Sequence, residues 1–530
     1  MARRRIALLL LALGLGGCGA VADPAPRPTP APEVRLQENL GPLKAATWRA
    51  QEAAEAERAR LLALAIRKAR KSTTVAGALR LALLTGRISP DTHARLSHDY
   101  TAARAAANRL TGARAAELQT VIGGVDHLAA VHLLEASRLK PVFLVLRRNT
   151  QFWTRAPFPA AAQRTTFGDD PAVFQYYPGR GLQLQPLASW GRANWLAGEC
   201  LRSRATSRRK SACPVNELRH TIDSLLSLAA DRGDFLGFEY YFAWGGGTPP
   251  WISGMTQATA VSALARAARA LDEPRWRRAA HRALGAFMTP PPVGVDGGDH
   301  YLMYSFSPSL RIFNGELQAV SGIGTLSALY PSDLLAGRLF RRGERTARTM
   351  VAASDTGAWS LYSLAGREST LGYHQLIETF LGDMCKQTLR RIYCTAHDRF
   401  ARYEREPTRI GIAPLRKLRA RHATTVRFSL SKVSWVTVQV LGKHDATLAS
   451  GLQLPHGVHT LAWTPPTRGR YRVRIAAQGP SGPLGVSMRK VKVVLPKPKP
   501  KKKPCERPRK AEKPVRCGPP GKRAAPQRTT

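Results

Sequence analysis

Tyrosine and tryptophan crowd one stretch of this 530-residue chain, between about residues 146 and 405. Tyr176-Tyr177, Trp244, Trp251, Tyr301, Tyr304, Trp359, Tyr362 and Tyr373-His374 all fall there. A phenol titrates near 10, so it donates a proton readily and accepts one only when cationic neighbours favour the phenolate. Two such groups on opposite faces of a substrate would suit reversible proton transfer. Tryptophans offer flat apolar faces on which sugar rings can stack. Gly245-Gly246-Gly247 is either an anion cradle or a plain turn. Other chemistries find little support. No G-x-G-x-x-G follows a strand-like run, so a nicotinamide cofactor is not indicated. No C-x-x-C spacing indicates a zinc site. No evident carboxylate pair meets the needs of a hydrolase.

The elements that must position these residues are mostly helices. Glu52 to Arg70 and Thr101 to Gln119 are rich in Ala, Leu, Glu, Arg and Lys, all strong helix formers, with Ser89-Pro90-Asp91 as a break between them. In the central region helices are expected over Asn216–Ala230, Met255–Leu271, Pro274–Phe287, Asn314–Leu329, Pro331–Ala353 and Gln375–Tyr393. Loops dense in Gly, Pro and aromatic residues separate them. Paired helices with aromatic loops on one side imply a ring of helical hairpins around a cleft. Beyond residue 408 the period changes to two, in Thr424–Leu430, Trp435–Val440 and Tyr471–Ile475, which reads as a β-sandwich. The expected fold is mainly α: a helical toroid of the (α/α)-barrel type over 146–405, preceded by a helical region over 41–145 and followed by an immunoglobulin- or fibronectin-like β-sandwich over 408–495.

The ends of the chain concern location. Arg3-Arg4-Arg5 followed by an uncharged run from Ile6 to Gly17 is the pattern of an export signal over 1–22, too short for an ordinary span. Leu15-Gly16-Gly17-Cys18 fits a bacterial lipobox, with Cys18 the lipidated residue; Ala20-Val21-Ala22 fits ordinary secretion. Residues 23–40 are a Pro-rich linker. Cys18 set aside, six cysteines fall into three close pairs: Cys200 with Cys213, Cys385 with Cys394, and Cys505 with Cys517. Such a pattern suggests disulfides in an exported chain. The net charge is +45. Residues 496–530, with thirteen Lys or Arg against two Glu, cannot bury a core and are expected to be disordered. Outside the cytoplasm a basic chain meets acidic polysaccharide and anionic envelope or membrane surfaces, not nucleic acid.

Five segments carry a family resemblance. Trp251-Ile252-Ser253-Gly254-Met255-Thr256-Gln257, running on to Leu264-Ala265-Arg266-Ala267, resembles the W-x-S-x-M-x-Q helix of the D-glucuronyl C5-epimerases. Tyr301-Leu302-Met303-Tyr304 and Phe313-Asn314-Gly315 resemble that family's Y-E-E-Y and N-G, Asp355-Thr356-Gly357 through Tyr362 its D-T-G-x-x-x-x-Y, Tyr373-His374 its Y-H, and Tyr176-Tyr177-Pro178 through Trp190-Gly191 its upstream Y-Y-P.

The resemblance implies inversion of C5 in a glucuronate residue of a polysaccharide. It places Tyr304 and Tyr373 as the proton-transfer pair, with Tyr362 beside the sugar. Trp251, Gln257, Asn314, His374, Tyr177, Trp244 and Trp359 would bind or orient substrate. No cofactor is implied; calcium is admitted by the resemblance, with no oxygen-rich loop to place it. One departure stands out. Leu302 and Met303 occupy the family's carboxylate positions, leaving Glu239 and Glu316 as substitutes. A non-catalytic glycan-binding protein with the same fold, or a uronate lyase, are the alternatives.

Overall fold

The computed structural model describes residues 42–168, 170–205, 213–416 and 418–496. The signal, Cys18, the Pro-rich linker and nearly all of the basic tail lie outside them. Thirteen α-helices, two small sheets between them and a C-terminal β region make up the described residues, and no helix among these is long and apolar enough to cross a membrane. Helix α1 (Pro42–Arg70) forms a unit by itself, and its Ala, Leu, Glu and Arg content accounts for its helicity.

The second unit starts with α2 (Val75–Leu84), α3 (Pro90–Arg109), α4 (Gly112–Ala130) and α5 (Ala136–Arg155). Ser89 caps α3 by accepting the Thr92 N–H at 3.2 Å, with Pro90 in the first turn. The helix expected over 101–119 is two helices. The chain leaves α3 at Leu110, which is extended, and Gly112 takes a positive φ of 60°. An antiparallel sheet of β1 (Arg164–Phe167), β2 (Asp170–Tyr177) and β3 (Gly181–Leu184) follows. Then come α6 (Pro186–Ala205), α7 (Val215–Leu226), the short pair β4 (Ala230–Asp231) and β5 (Leu236–Gly237), α8 (Gly254–Leu271), α9 (Pro274–Ala283) and α10 (Phe313–Leu329). The helical part closes with α11 (Leu334–Ala353), α12 (Leu371–Thr388) and α13 (Arg391–Tyr403). The single helix expected over 375–393 is divided because Leu389 turns left-handed, with φ 55°.

Helices α6, α8, α10 and α12 pack side by side, and each pairs with the helix after it. Fifteen of the eighteen residues of α8 are buried, and they are mostly Ala, Gly, Ser and Thr. Small side chains let the backbones approach: a Cβ on Gly322 of α10 would lie 2.4 Å from the Ala258 carbonyl oxygen of α8. Outer helices are one-sided instead. In α9, Trp276, Ala279, Ala280 and Ala283 face inward and its arginines outward. Helices α2–α5 share this same hydrophobic core.

Two of the three expected disulfides are formed among the described residues. Cys200 is joined to Cys213 across the end of α6, and Cys385 to Cys394 between α12 and α13. The third expected pair, Cys505 with Cys517, is not among them. Both Cys505 and Cys517 fall in the basic tail, outside the described residues.

The C-terminal region holds β6 (Ile410–Ile412), β7 (Leu418–Arg419), β8 (Thr424–Leu430), β9 (Ser434–Leu441), β10 (Ala446–Leu454), β11 (Gly457–Trp463), β12 (Gly469–Gln478) and β13 (Gly485–Val494). One sheet runs β10-β9-β12-β13-β7 and another β11-β8-β6. Alternating residues from both, such as Val426 and Phe428, Val436 and Val438, and Val473 and Ile475, fill one cluster.

Candidate active site

The motif segments meet through backbone pairing. Helix α8 has no side-chain cap; its first N–H, on Gly254, donates to the Leu302 carbonyl at 2.9 Å. Ser305 N–H donates to the Ile252 carbonyl at 3.0 Å, and Ile252 N–H to Ser305 Oγ at 3.2 Å. The tryptophan helix and the Tyr301–Ser305 segment are thereby zipped together. Phe313 N–H donates to the Tyr362 carbonyl at 3.2 Å, tying the 355–369 loop to the start of α10. Tyr373 sits in the first turn of α12, where its N–H reaches the capping Thr370 hydroxyl.

These connections place Tyr177, Trp244, Trp251, Met303, Tyr304 and Tyr373 on the wall of one open cavity of about 380 Å3. Trp251 stacks on Tyr240 at 4.0 Å and meets Tyr304 edge-on at 5.6 Å. Tyr304 lies over Phe306 at 5.3 Å. Tyr362 stands directly behind Tyr373, their ring centres 4.5 Å apart. The three tyrosines named from sequence therefore converge.

Their protonation differs from the expectation that a cationic cleft would favour phenolates. Burial pushes Tyr304 above the usual phenol range, against a lowering hydrogen bond from Trp244. Burial does the same to Tyr362, with the neighbouring Tyr373 and Tyr304 adding to it, and it lifts Tyr177 to about 12. In the free protein these three are neutral phenols at pH 7.

Four of the residues expected at the substrate lie in the interior instead. Gln257 accepts from Phe238 N–H at 2.7 Å and donates to the Leu236 carbonyl at 2.9 Å, bracing the strand that leads to Tyr240. His374 is fully buried, stacked on Trp359 at 3.7 Å, with its ring nitrogens against Ser360 Oγ and the Phe400 carbonyl. Burial takes its imidazole down to about 4, so it is neutral. Trp359 is buried too and donates to the Ser369 carbonyl. Asn314 is wholly enclosed, its amide without a hydrogen-bond partner among the described residues. These four support the wall and do not form it.

Behind Trp359 the β region is wedged in. Lys432 donates to the Tyr403 and Glu406 carbonyls at 2.6 and 2.8 Å and lies 5.2 Å from the Trp359 ring centre. Glu368, between Tyr362 and Tyr373, accepts Val433 N–H at 2.8 Å and His456 N–H at 2.7 Å.

Neither substitute carboxylate reaches the cavity. Glu239 is fully buried between two guanidiniums, at 2.8 and 3.1 Å from Arg138 and 2.6 Å from Arg232. Glu316 accepts Tyr301 N–H at 2.7 Å with one oxygen, while the other has no partner, and burial raises its carboxyl to about 8. Of the two departures from the family pattern, Leu302 is core and Met303 presents a thioether to the cavity. No carboxylate among the described residues lines it.

The charge on the wall is cationic and comes from Arg164 and Arg180, which sequence reasoning passed over. Arg180 lies at the β2–β3 turn, where Gly179 and Gly181 both have φ 72°. Glu117 of α4 holds that turn by accepting both glycine N–H groups at 2.7 Å. The guanidinium donates to the Ala243 carbonyl and lies 5.9 Å from the Trp244 ring centre. The Pro-Gly-Arg-Gly run was the available signal for a turn. In a chain with 81 basic residues, nothing local marks this arginine out.

Residues 232–402 match the family model of the D-glucuronyl C5-epimerase C-terminus. The matched segment contains Trp244, Trp251 and all three tyrosines; Tyr177, Arg164 and Arg180 lie before it. The chain is also similar in structure to the cellobiose 2-epimerase of Spirochaeta thermophila DSM 6192, at 17% identity, covering 50% of this chain and 69% of that one, with a TM-score of 0.32. No curated protein matches the sequence significantly. Among the described residues no group of three or more His, Cys, Asp or Glu side chains converges.

Proposed function

We propose that this chain inverts C5 of uronate residues within an acidic glycan, on a toroid of helical hairpins backed by a β-sandwich. The observation that carries the reading is that Tyr304 and Tyr373, with Tyr362 against Tyr373, meet at one cationic, aromatic cavity, all three tyrosines lying inside the segment that matches the epimerase family. The C5 hydrogen is α to a carboxylate. A base on one face removes it, the C–H electron pair moves into the carboxylate as an enediolate, and a proton returns to C5 from the other face. Arg164 and Arg180 would offset the charge that builds on the carboxylate. Tyr304, held as a neutral phenol by burial, suits the proton donor. Tyr373, 39% exposed at the open side, takes the base role.

A second reading is supported by the absence of any carboxylate on the cavity wall among the described residues: a glycan-binding protein that retains the cleft without the chemistry. A lyase would share the proton abstraction and then expel the substituent at C4. Incubation with uronate polymers in deuterated water, followed by NMR, separates the three. Deuterium at C5 in an unbroken chain supports epimerisation, unsaturated new ends support a lyase, and binding with neither supports the binding protein. Export, with a lipid on Cys18, belongs to the same proposal, as does a third disulfide between Cys505 and Cys517. Cys18→Ala should release the protein from the membrane fraction; retention of the variant there would count against the anchor.

A further inference from the structure

A second cationic site lies at the other end of the helical region. Helix α8 starts at the cavity and runs eighteen residues away from it, about 27 Å at 1.5 Å per residue. There α9 and the loop from α10 to α11 enclose a groove of about 610 Å3, lined by Arg277, Arg278, His281, Tyr330 and Leu334 among others. Arg277 lies 5.5 Å from the Tyr330 ring centre. On α11, Arg338, Arg341 and Arg345 follow Leu334 at helical spacing and are exposed.

The arginines of α9 and α11 divide into two groups by their pairing. On α9 and α11, Arg275, Arg282, Arg342 and Arg348 each hold a carboxylate. Arg277, Arg278, Arg338, Arg341 and Arg345 hold none among the described residues, and all five are exposed. Asp333 is already engaged, accepting Ala336 N–H and pairing with His281. Uncompensated guanidiniums beside an aromatic face suit a carboxylate-bearing sugar chain, which offers both anions and ring faces.

We propose that this groove is a second binding site for acidic polysaccharide, holding a stretch of chain remote from the one in the cavity. The identity of the polymer rests on the reading above; the site rests on its own residues. Two sites on one polymer give long chains an advantage that short ones lack.

The test uses the full chain, hyaluronan fractionated by length, and dextran as an uncharged control. The variant carrying Arg277→Ser, Arg278→Ser and Arg338→Ser should bind long chains about tenfold more weakly, with a shallower salt dependence. Its binding of short oligosaccharides, and any C5 exchange on them, should match wild type. A control of equal charge loss, Arg80→Ser, Arg95→Ser and Arg109→Ser, should lose less than about threefold. Undiminished binding of long chains by the first variant overturns the proposal. So does an equal loss in the control, or a loss seen only on phosphatidylglycerol vesicles. If wild type exchanges no C5 hydrogen on any polymer while the groove variant still loses long chains, the epimerase reading falls and the groove stands.

Discussion

Tyr304→Phe removes a hydroxyl and leaves the ring, which makes it the sharpest probe of the proposed chemistry. The Phe ring keeps the stack on Phe306 and the edge contact with Trp251. The hydrogen bond lost is the one with Trp244, itself 37% exposed and able to turn to water. Folding should therefore change by less than about 1 kcal/mol. A positioned proton donor accelerates by about 10²–10⁴-fold, so inversion at C5 should fall by that factor, about 3–5 kcal/mol in barrier, at unchanged substrate affinity. Wild type adds a pH signature. An ordinary phenol is about one part in a thousand ionised at pH 7. Burial leaves Tyr304 and Tyr362 less ionised still. If a phenolate is the base, kcat/KM should rise about tenfold per pH unit from pH 7 to 9. A rate that levels off at or below pH 7 would assign the base to another group. Full inversion at C5 in both Tyr304→Phe and Tyr373→Phe would remove the tyrosines from the mechanism.

Two further predictions concern the buried carboxyls. Glu239→Gln leaves Arg232 buried without a countercharge and Arg138 with only the half-exposed Glu135, at a cost of about 3–5 kcal/mol. For a cooperative unit of roughly 450 residues that lowers Tm by about 3–5 °C in a thermal melt, and a shift below about 1 °C would refute the burial argument. Glu316 holds a proton when folded up to a pH of about 8, whereas the unfolded carboxyl releases it near 4.3. The folded state thus binds more protons across that window, and stability falls as pH rises through it. Glu316→Gln removes this dependence, so its stability relative to wild type should improve from pH 5 to pH 8 by a few kcal/mol; a constant difference between the two would show that Glu316 is not held protonated.

Local periodicity made most of the fold legible. The small-residue run of α8, the one-sided α9 and the alternation in β8, β9 and β12 each follow from side-chain pattern. What escaped were the interruptions. Nothing in the helix-forming run 101–119 outweighs its propensities until Leu110 and Gly112 leave helical geometry, and Leu389 adopts a left-handed turn that no sequence rule assigns to leucine. At the site, the family resemblance picked out the tyrosines, and they meet because the loops carrying Tyr304 and Tyr362 lead into α10 and α12 while Tyr373 lies in the first turn of α12. It did not find Glu117, Arg180 or the Arg138–Glu239 pair, whose partners are 62, 63 and 101 positions away. Nor did it sort His374 and Trp359 from Trp244, since aromatic identity says nothing about which side of a wall a ring faces.

The Lys432 wedge under Trp359 has a consequence for how such chains diversify. A β region joined by a linker can be exchanged, duplicated or lost like a bead on a string. Here its backbone amides at Val433 and His456 hold Glu368, midway along the loop between two of the three tyrosines. Recombination at the junction would deliver a helical region whose tyrosine-bearing loop had lost this backing, so exchange of the β region is expected to disturb the cavity.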